Sequence, residues 1–139
     1  LNIPTYLDLS IHVKKDSMFN TPPVFSVYVA NLNLKHMMKE GGIEYQAKKN
    51  KEKARLLYEE IDSNPLFAGT TAVEDRSEMN VTFLLTDASK KDAFDQLWNE
   101  AGVVGLKGHR SVGGYRASMY NALEVDSVKV LVEAMRKLK

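Results

Sequence analysis

The chain has 139 residues, 44% of them apolar and 27% charged, with a net charge of +1 and no cysteine. That length holds one domain with a real core, and so even a charge balance excludes a general polyanion binder, whose basic residues are concentrated on one face. Without cysteine there are no disulfides and no thiolate metal site, a composition that fits a cytoplasmic protein. No apolar run approaches the roughly 18 residues of a membrane span, and no basic stretch followed by an apolar one opens the chain. The sequence begins at Leu1, without a methionine, in what reads as ordered sequence. It is expected to be a piece of a longer protein.

Residues 7 to 13, "LDLSIHV", alternate apolar and polar, the pattern of a half-buried strand with His12 on the solvated side. In the next stretch Thr21 can cap a helix, and Pro22 or Pro23 suits its first turn. Phe25, Tyr28, Val29, Leu32 and His36 keep helical spacing, and Gly41-Gly42 can end the helix, although Val24, Val27 and Val29 also suit a strand. The first charge after Pro23 is Lys35, so this helix should be largely buried. Residues 43 to 62 read as an amphipathic helix with Ile43, Ala47, Ala54, Leu57 and Ile61 as its apolar stripe. The basic run "KKNKEKAR" on that helix reads as a solvated face, since glutamates flank it.

Asn64-Pro65 breaks the helix. "LFAGTTAV" reads as a short strand and "MNVTFLL", 79 to 85, as a stronger one. Residues 89 to 101 are helical, with Trp98 on the apolar face as a core residue. "VVGLKG" and "YRASMYNAL" read as two strands about a Gly113-Gly114 turn, and 124 to 138 as a last helix. Its acidic start and basic end complement the helix dipole. Together these elements predict an α+β fold, a small antiparallel sheet with helices packed on one face.

Two places could bind an anion. At "NTPP", 20 to 23, a helix start offers free N–H groups, with Asn20 and Thr21 as side-chain donors. Plain helix capping explains the same residues. In "KGHRSVGGYRAS", Lys107, His109, Arg110 and Arg116 gather around two glycines that allow close backbone approach. Arginine grips carboxylate or phosphate with a planar fork. Arg116 sits in an apolar strand, where it needs a partner: either a bound anion or an internal carboxylate. The three histidines lie at 12, 36 and 109, without metal spacing, and no nucleophile has an evident base beside it. No metal site and no catalytic residue is expected in this chain.

"SMFNTPPVFSVYV", "DRSEMNVTF" and "GLKGHRSVGGYRASMYNAL" together resemble the phosphoserine aminotransferase family, in its C-terminal part, from about Leu7 to the end. The resemblance implies the small C-terminal domain of a homodimeric fold type I enzyme that uses pyridoxal 5'-phosphate. Such enzymes move an amino group between L-glutamate and 3-phosphohydroxypyruvate, giving 3-phosphoserine and 2-oxoglutarate. Many bacterial members also serve pyridoxine biosynthesis. It implies that residues 1–20 are the tail of the large cofactor domain and the crossover, and 21–139 the small domain. It also implies that Asn20 and Thr21 reach the cofactor phosphate of the neighbouring subunit. Arg116 would hold the substrate α-carboxylate, while His109 and Arg110 receive its phosphate or distal carboxylate. The Schiff-base lysine of the family lies upstream, so this chain alone should not transaminate. Its 23 to 40 helix should then expose apolar surface.

The rival readings are a non-catalytic module that clasps a phosphorylated metabolite, and a nucleic-acid binder using the 48 to 55 basic run. Neither accounts for "NTPP" and "GHRSVGGYRAS" in one chain. The expected partners are therefore small molecules, with no nucleic acid and no membrane.

Overall fold

A computed structural model describes residues 3–111 and 113–139. The described residues divide into two compact units, one ending at Glu40 and one spanning Gly41–Lys139. No helix of the described residues is long and apolar enough to cross a membrane.

The first unit holds α1 (Leu9–Lys14) and α2 (Val24–Lys39). The strand predicted over 7 to 13 is instead a 3-10 turn followed by α1. The reason is local. The Asp8 carboxylate accepts the backbone N–H of Ser10 at 2.9 Å and caps a helix start. Alternation alone cannot make a strand without a neighbour to pair with. His12 is not simply solvated. Its Nε2 donates to the Tyr6 carbonyl at 2.8 Å, and its ring meets Tyr6 and Phe19 edge-on. α2 also departs from the expectation of burial drawn from its composition. None of its residues is buried, and Phe25 is 79% exposed. The apolar surface expected if the chain stands alone is present.

The second unit builds its core between a sheet and three helices. α3 (Gly42–Ser63) follows Gly41, whose φ of +118° suits glycine. β1 (Phe67–Gly69), β2 (Asn80–Leu85) and β3 (Tyr115–Ser118) form an antiparallel sheet in the order β1-β2-β3. α4 (Lys91–Glu100) lies between β2 and β3 in sequence, and α5 (Val125–Lys137) closes the chain. The α+β expectation, a small antiparallel sheet with helices on one face, holds. Phe67, Val81, Phe83, Tyr115 and Ala117 point from the sheet into the core, where they meet Leu57, Ile61, Phe94, Trp98, Leu131 and Met135 of the helices. Trp98 is a core residue as predicted. Four rings carry much of that contact: Phe83 stacks on Tyr115 with centroids 5.4 Å apart, and Phe67 and Phe94 meet edge-on at 5.0 Å.

Two predicted strands shrink. "LFAGTTAV" pairs only over Phe67–Gly69, and "VVGLKG" contributes a single bridge, Lys107 to Tyr115. "YRASMYNAL" is a strand only to Ser118. Beyond it the carbonyls turn to a different partner. The Lys53 ammonium donates to the carbonyls of Met119 at 2.8 Å, Tyr120 at 3.0 Å and Leu123 at 3.1 Å. Lys53 is 0% exposed. The basic run is thus only partly a solvated face. The stripe also differs: Ile43 is 84% exposed, while Gln46, Asn50 and Lys53 face inward with Leu57 and Ile61. Asn50 Nδ2 donates to Asn121 Oδ1 at 2.8 Å, and Lys49 pairs with Glu124 at 2.8 Å. Burial, with the charge of Lys49 adding to it, holds the Lys53 ammonium below the ordinary lysine range.

Replacing Lys53 with methionine leaves three carbonyls without their donor, and each such loss costs about 1–3 kcal/mol when water cannot substitute. The contacts to Tyr120 and Leu123 are only partly buried, so water takes over part of the loss, and Lys53→Met is expected to lower the urea midpoint of the chain by the equivalent of about 2–4 kcal/mol. An unchanged midpoint would show that the 119–124 turn holds itself.

Candidate anion-binding site

At the sheet edge, residues 106–108 run close against residues 113–114 and the start of β3. The N–H of Arg116 donates to the Leu106 carbonyl at 2.7 Å, and that of Gly108 to the Gly114 carbonyl at 2.9 Å. Gly113 closes the tip by donating to His109 O at 2.8 Å. The two legs lie so close that a Cβ on Gly108 would run into the Gly113 carbonyl. A Cβ on Gly114, where φ is +66°, would strike Leu84 and the Phe83 carbonyl. Only glycine fits either place.

From this loop the cations point outward. Tyr115 and Ala117 are buried, so Arg116 and Ser118 emerge on the open face, opposite Thr82 and Asn80. The Arg116 guanidinium has no hydrogen bond or ion pair among the described residues, and neither has that of Arg110. Among the described residues, the internal carboxylate left open for Arg116 by the sequence is therefore not there. His109 is exposed, and its Nδ1 lies 2.7 Å from Ser111 Oγ.

His109 and Arg110 line a cavity of about 400 Å³ together with Lys91, Asp95 and Lys107. Arg116 lines a separate hollow of about 440 Å³, walled by Leu106, Met119, Leu123, Val128 and Leu131. The predicted trio is thus held by one loop but served by two hollows.

Asp95 was not visible in the sequence as a site residue. Its Oδ1 accepts the Tyr115 hydroxyl at 2.9 Å and the Trp98 indole N–H at 3.1 Å. Its Oδ2 accepts Lys91 at 2.6 Å and lies 3.5 Å from the Lys107 ammonium. Burial alone would raise this carboxyl, but the donors of Lys91, Tyr115 and Trp98 outweigh it and hold the group below the ordinary carboxylate range. Burial, and then the Asp95 charge, push the Tyr115 phenol well above its ordinary range. The Lys91–Asp95 spacing of four is a readable sequence signal. The Tyr115 partnership spans twenty residues and is not.

Asn20 and Thr21 belong to the other unit. Both are exposed, and neither side chain has a partner among the described residues. Thr21 does not cap α2. Pro23 occupies the N-cap position, no side chain caps the helix, and α2 starts at Val24. Plain capping therefore does not use up the "NTPP" donors.

Residues 4–131 match the family model of aminotransferase class-V. The chain belongs to the class-V aminotransferase family. Among relatives in that family, the phosphoserine aminotransferase of Flavobacterium johnsoniae is 56% identical over 137 residues, covering 99% of this chain and 38% of that protein. That of Azobacteroides pseudotrichonymphae is 55% identical over 139 residues, again covering 99% of this chain and 39% of its own. The chain thus spans about two fifths of the length of the relatives it matches. Among solved structures, a phosphoserine aminotransferase studied for radiation damage of its Schiff base superposes with a TM-score of 0.88 at 44% identity, covering 99% of this chain and 39% of that one. A pyridoxal-phosphate-bound phosphoserine aminotransferase from Trichomonas vaginalis superposes at 0.85 with 40% identity, covering 97% of this chain and 39% of that one.

A carboxylate depressed in the folded state binds fewer protons there than in the unfolded chain. The stability Asp95 contributes is fully present above its ordinary value of 3.8 and is lost as pH falls through its lower folded value. In urea titrations at a series of pH values, the stability gap between wild type and Asp95→Asn should be constant above about pH 5 and shrink below 3.8. A gap that does not narrow on acidification would mean that Asp95 is not held ionised by its donors.

Proposed function

We propose that this chain is the C-terminal, substrate-clasping domain of a phosphoserine aminotransferase. The parent enzyme transfers an amino group between L-glutamate and 3-phosphohydroxypyruvate to give 3-phosphoserine and 2-oxoglutarate, in the cytoplasm and as a homodimer. A second role in pyridoxine biosynthesis belongs to the same proposal. Relatives of that name support the reading. The observation that carries it is the exposed, uncommitted guanidinium of Arg116 on a strand whose other face is core.

In this reading residues 1–20 are the tail of the large domain and the crossover, and 21–139 the small domain. Asn20 and Thr21 would donate to the phosphate of pyridoxal 5'-phosphate held by the neighbouring subunit. That cofactor, when bound, supplies the electron sink for the chemistry at the substrate α-carbon. This chain supplies orientation. Arg116 takes the α-carboxylate in a two-pronged grip, and His109 with Arg110 takes the phosphate or distal carboxylate. Two anion contacts fix the substrate at both ends, so the α-carbon between them is presented in one pose. No residue of this chain is assigned a bond-making or proton-transferring role, and the chain alone is expected not to transaminate.

The test uses the reading frame with its upstream segment. Protein incubated with pyridoxal phosphate should show a visible absorption band that L-glutamate abolishes. A colourless protein, or a band indifferent to glutamate, would leave a phosphometabolite-binding module instead. In the same full-length enzyme, Arg116→Ala removes a charge-assisted contact worth about 1.5–3 kcal/mol, so kcat/KM for L-glutamate should fall roughly ten- to two-hundredfold. Affinity for pyridoxal phosphate should stay level. Unchanged kinetics with glutamate would reject Arg116 as the carboxylate ligand.

A further inference from the structure

The loop that bears His109 and Arg110 stands on two residues, Lys107 and Tyr115, which face each other across its base as an antiparallel bridge. Both reach the same side chain. The Tyr115 hydroxyl donates to one oxygen of Asp95 at 2.9 Å, and the Lys107 ammonium lies 3.5 Å from the other. Asp95 projects from α4 and is itself fixed by Trp98 and Lys91. With a side chain 14% exposed, it sits at the wall of the cavity that His109 and Arg110 line. One carboxylate of the helix layer thus ties both legs of the loop, while the glycine backbone beyond them has little stiffness of its own.

We infer that Asp95, acting through Tyr115 and Lys107, is a positioning residue that sets where His109 and Arg110 stand and so determines selectivity for substrates with a distal anion. This rests on the assignment of His109 and Arg110 to the distal anion. Asp95 does not touch that anion, since a carboxylate facing a phosphate repels it. The charge of Asp95 is instead spent on Lys91 and Lys107. The arrangement is costly unless geometry is its purpose: an anion-binding cavity without Asp95 would be more positive but looser.

Tyr115→Phe separates these effects because it removes one hydrogen bond, keeps the buried ring and changes no charge. In the full-length holoenzyme, the amino-donor half-reaction is followed by the loss of cofactor absorbance with L-phosphoserine and with L-alanine, which has no distal anion. Tyr115→Phe should raise KM for phosphoserine about three- to tenfold, the span of one net hydrogen bond. Alanine kinetics and pyridoxal phosphate affinity should not move. Asp95→Asn should shift KM for phosphoserine in the same direction and further. Equal losses with both amino acids, no change in either, or tighter phosphoserine binding in Asp95→Asn would each overturn the inference. His109→Ala in parallel tests the underlying assignment. If it leaves KM for phosphoserine unchanged, the assignment of the distal-anion site fails, whatever the Tyr115 result.

Discussion

An ammonium ion buried without water must be surrounded by oxygens, and this fold is arranged to meet that demand. Lys53 reaches through the core side of α3 to three carbonyls that follow β3. The strand must stop at Ser118 so that Met119, Tyr120 and Leu123 can turn inward. Beyond it Met119 and Leu123 line the hollow beside Arg116. A point charge on one helix thus meets the end of a strand, the turn that follows it and the wall of a candidate site. Asn50 and Lys49 reinforce it along the same edge through Asn121 and Glu124.

The other organising group is Tyr115. Its ring stacks on Phe83 and meets Phe94 edge-on, so it is as much a core residue as any phenylalanine here. Its hydroxyl leaves the core to reach Asp95. Through this one side chain the packing of the sheet against α4 is transmitted to the loop of cations. Helix, sheet and loop are held in one frame, so the backbone at Gly108 and Gly114 can be thin without being loose.

α4 and α5 were readable because their apolar periodicity coincides with their burial, whereas α3 buries Gln46, Asn50 and Lys53 and leaves Ile43 exposed. The last helix, with Val128, Leu131 and Met135 inward, needed nothing beyond the pattern. The cations at 107–116 were readable for another reason: they sit beside two glycines in a chain of balanced charge. What escaped depended on distant partners. Lys53 looks like any lysine of a basic run until the turn sixty-six residues later supplies its carbonyls. Asp95 looks like a helix-surface acid until Tyr115 arrives. The alternation at 7 to 13 misled because the Asp8 cap is a local force and strand pairing is not. Composition misled at α2, since an apolar helix is buried only where something covers it.

The division of the cations between two hollows has a consequence for discrimination. Under the proposed reading the loop works as a caliper. It gauges the distance between two negative groups and does not weigh the total charge of a ligand. A free anion, however strongly charged, fills one hollow and leaves the other to water. A molecule whose two negative groups match the spacing of the hollows collects both contacts at a single cost in freedom of motion.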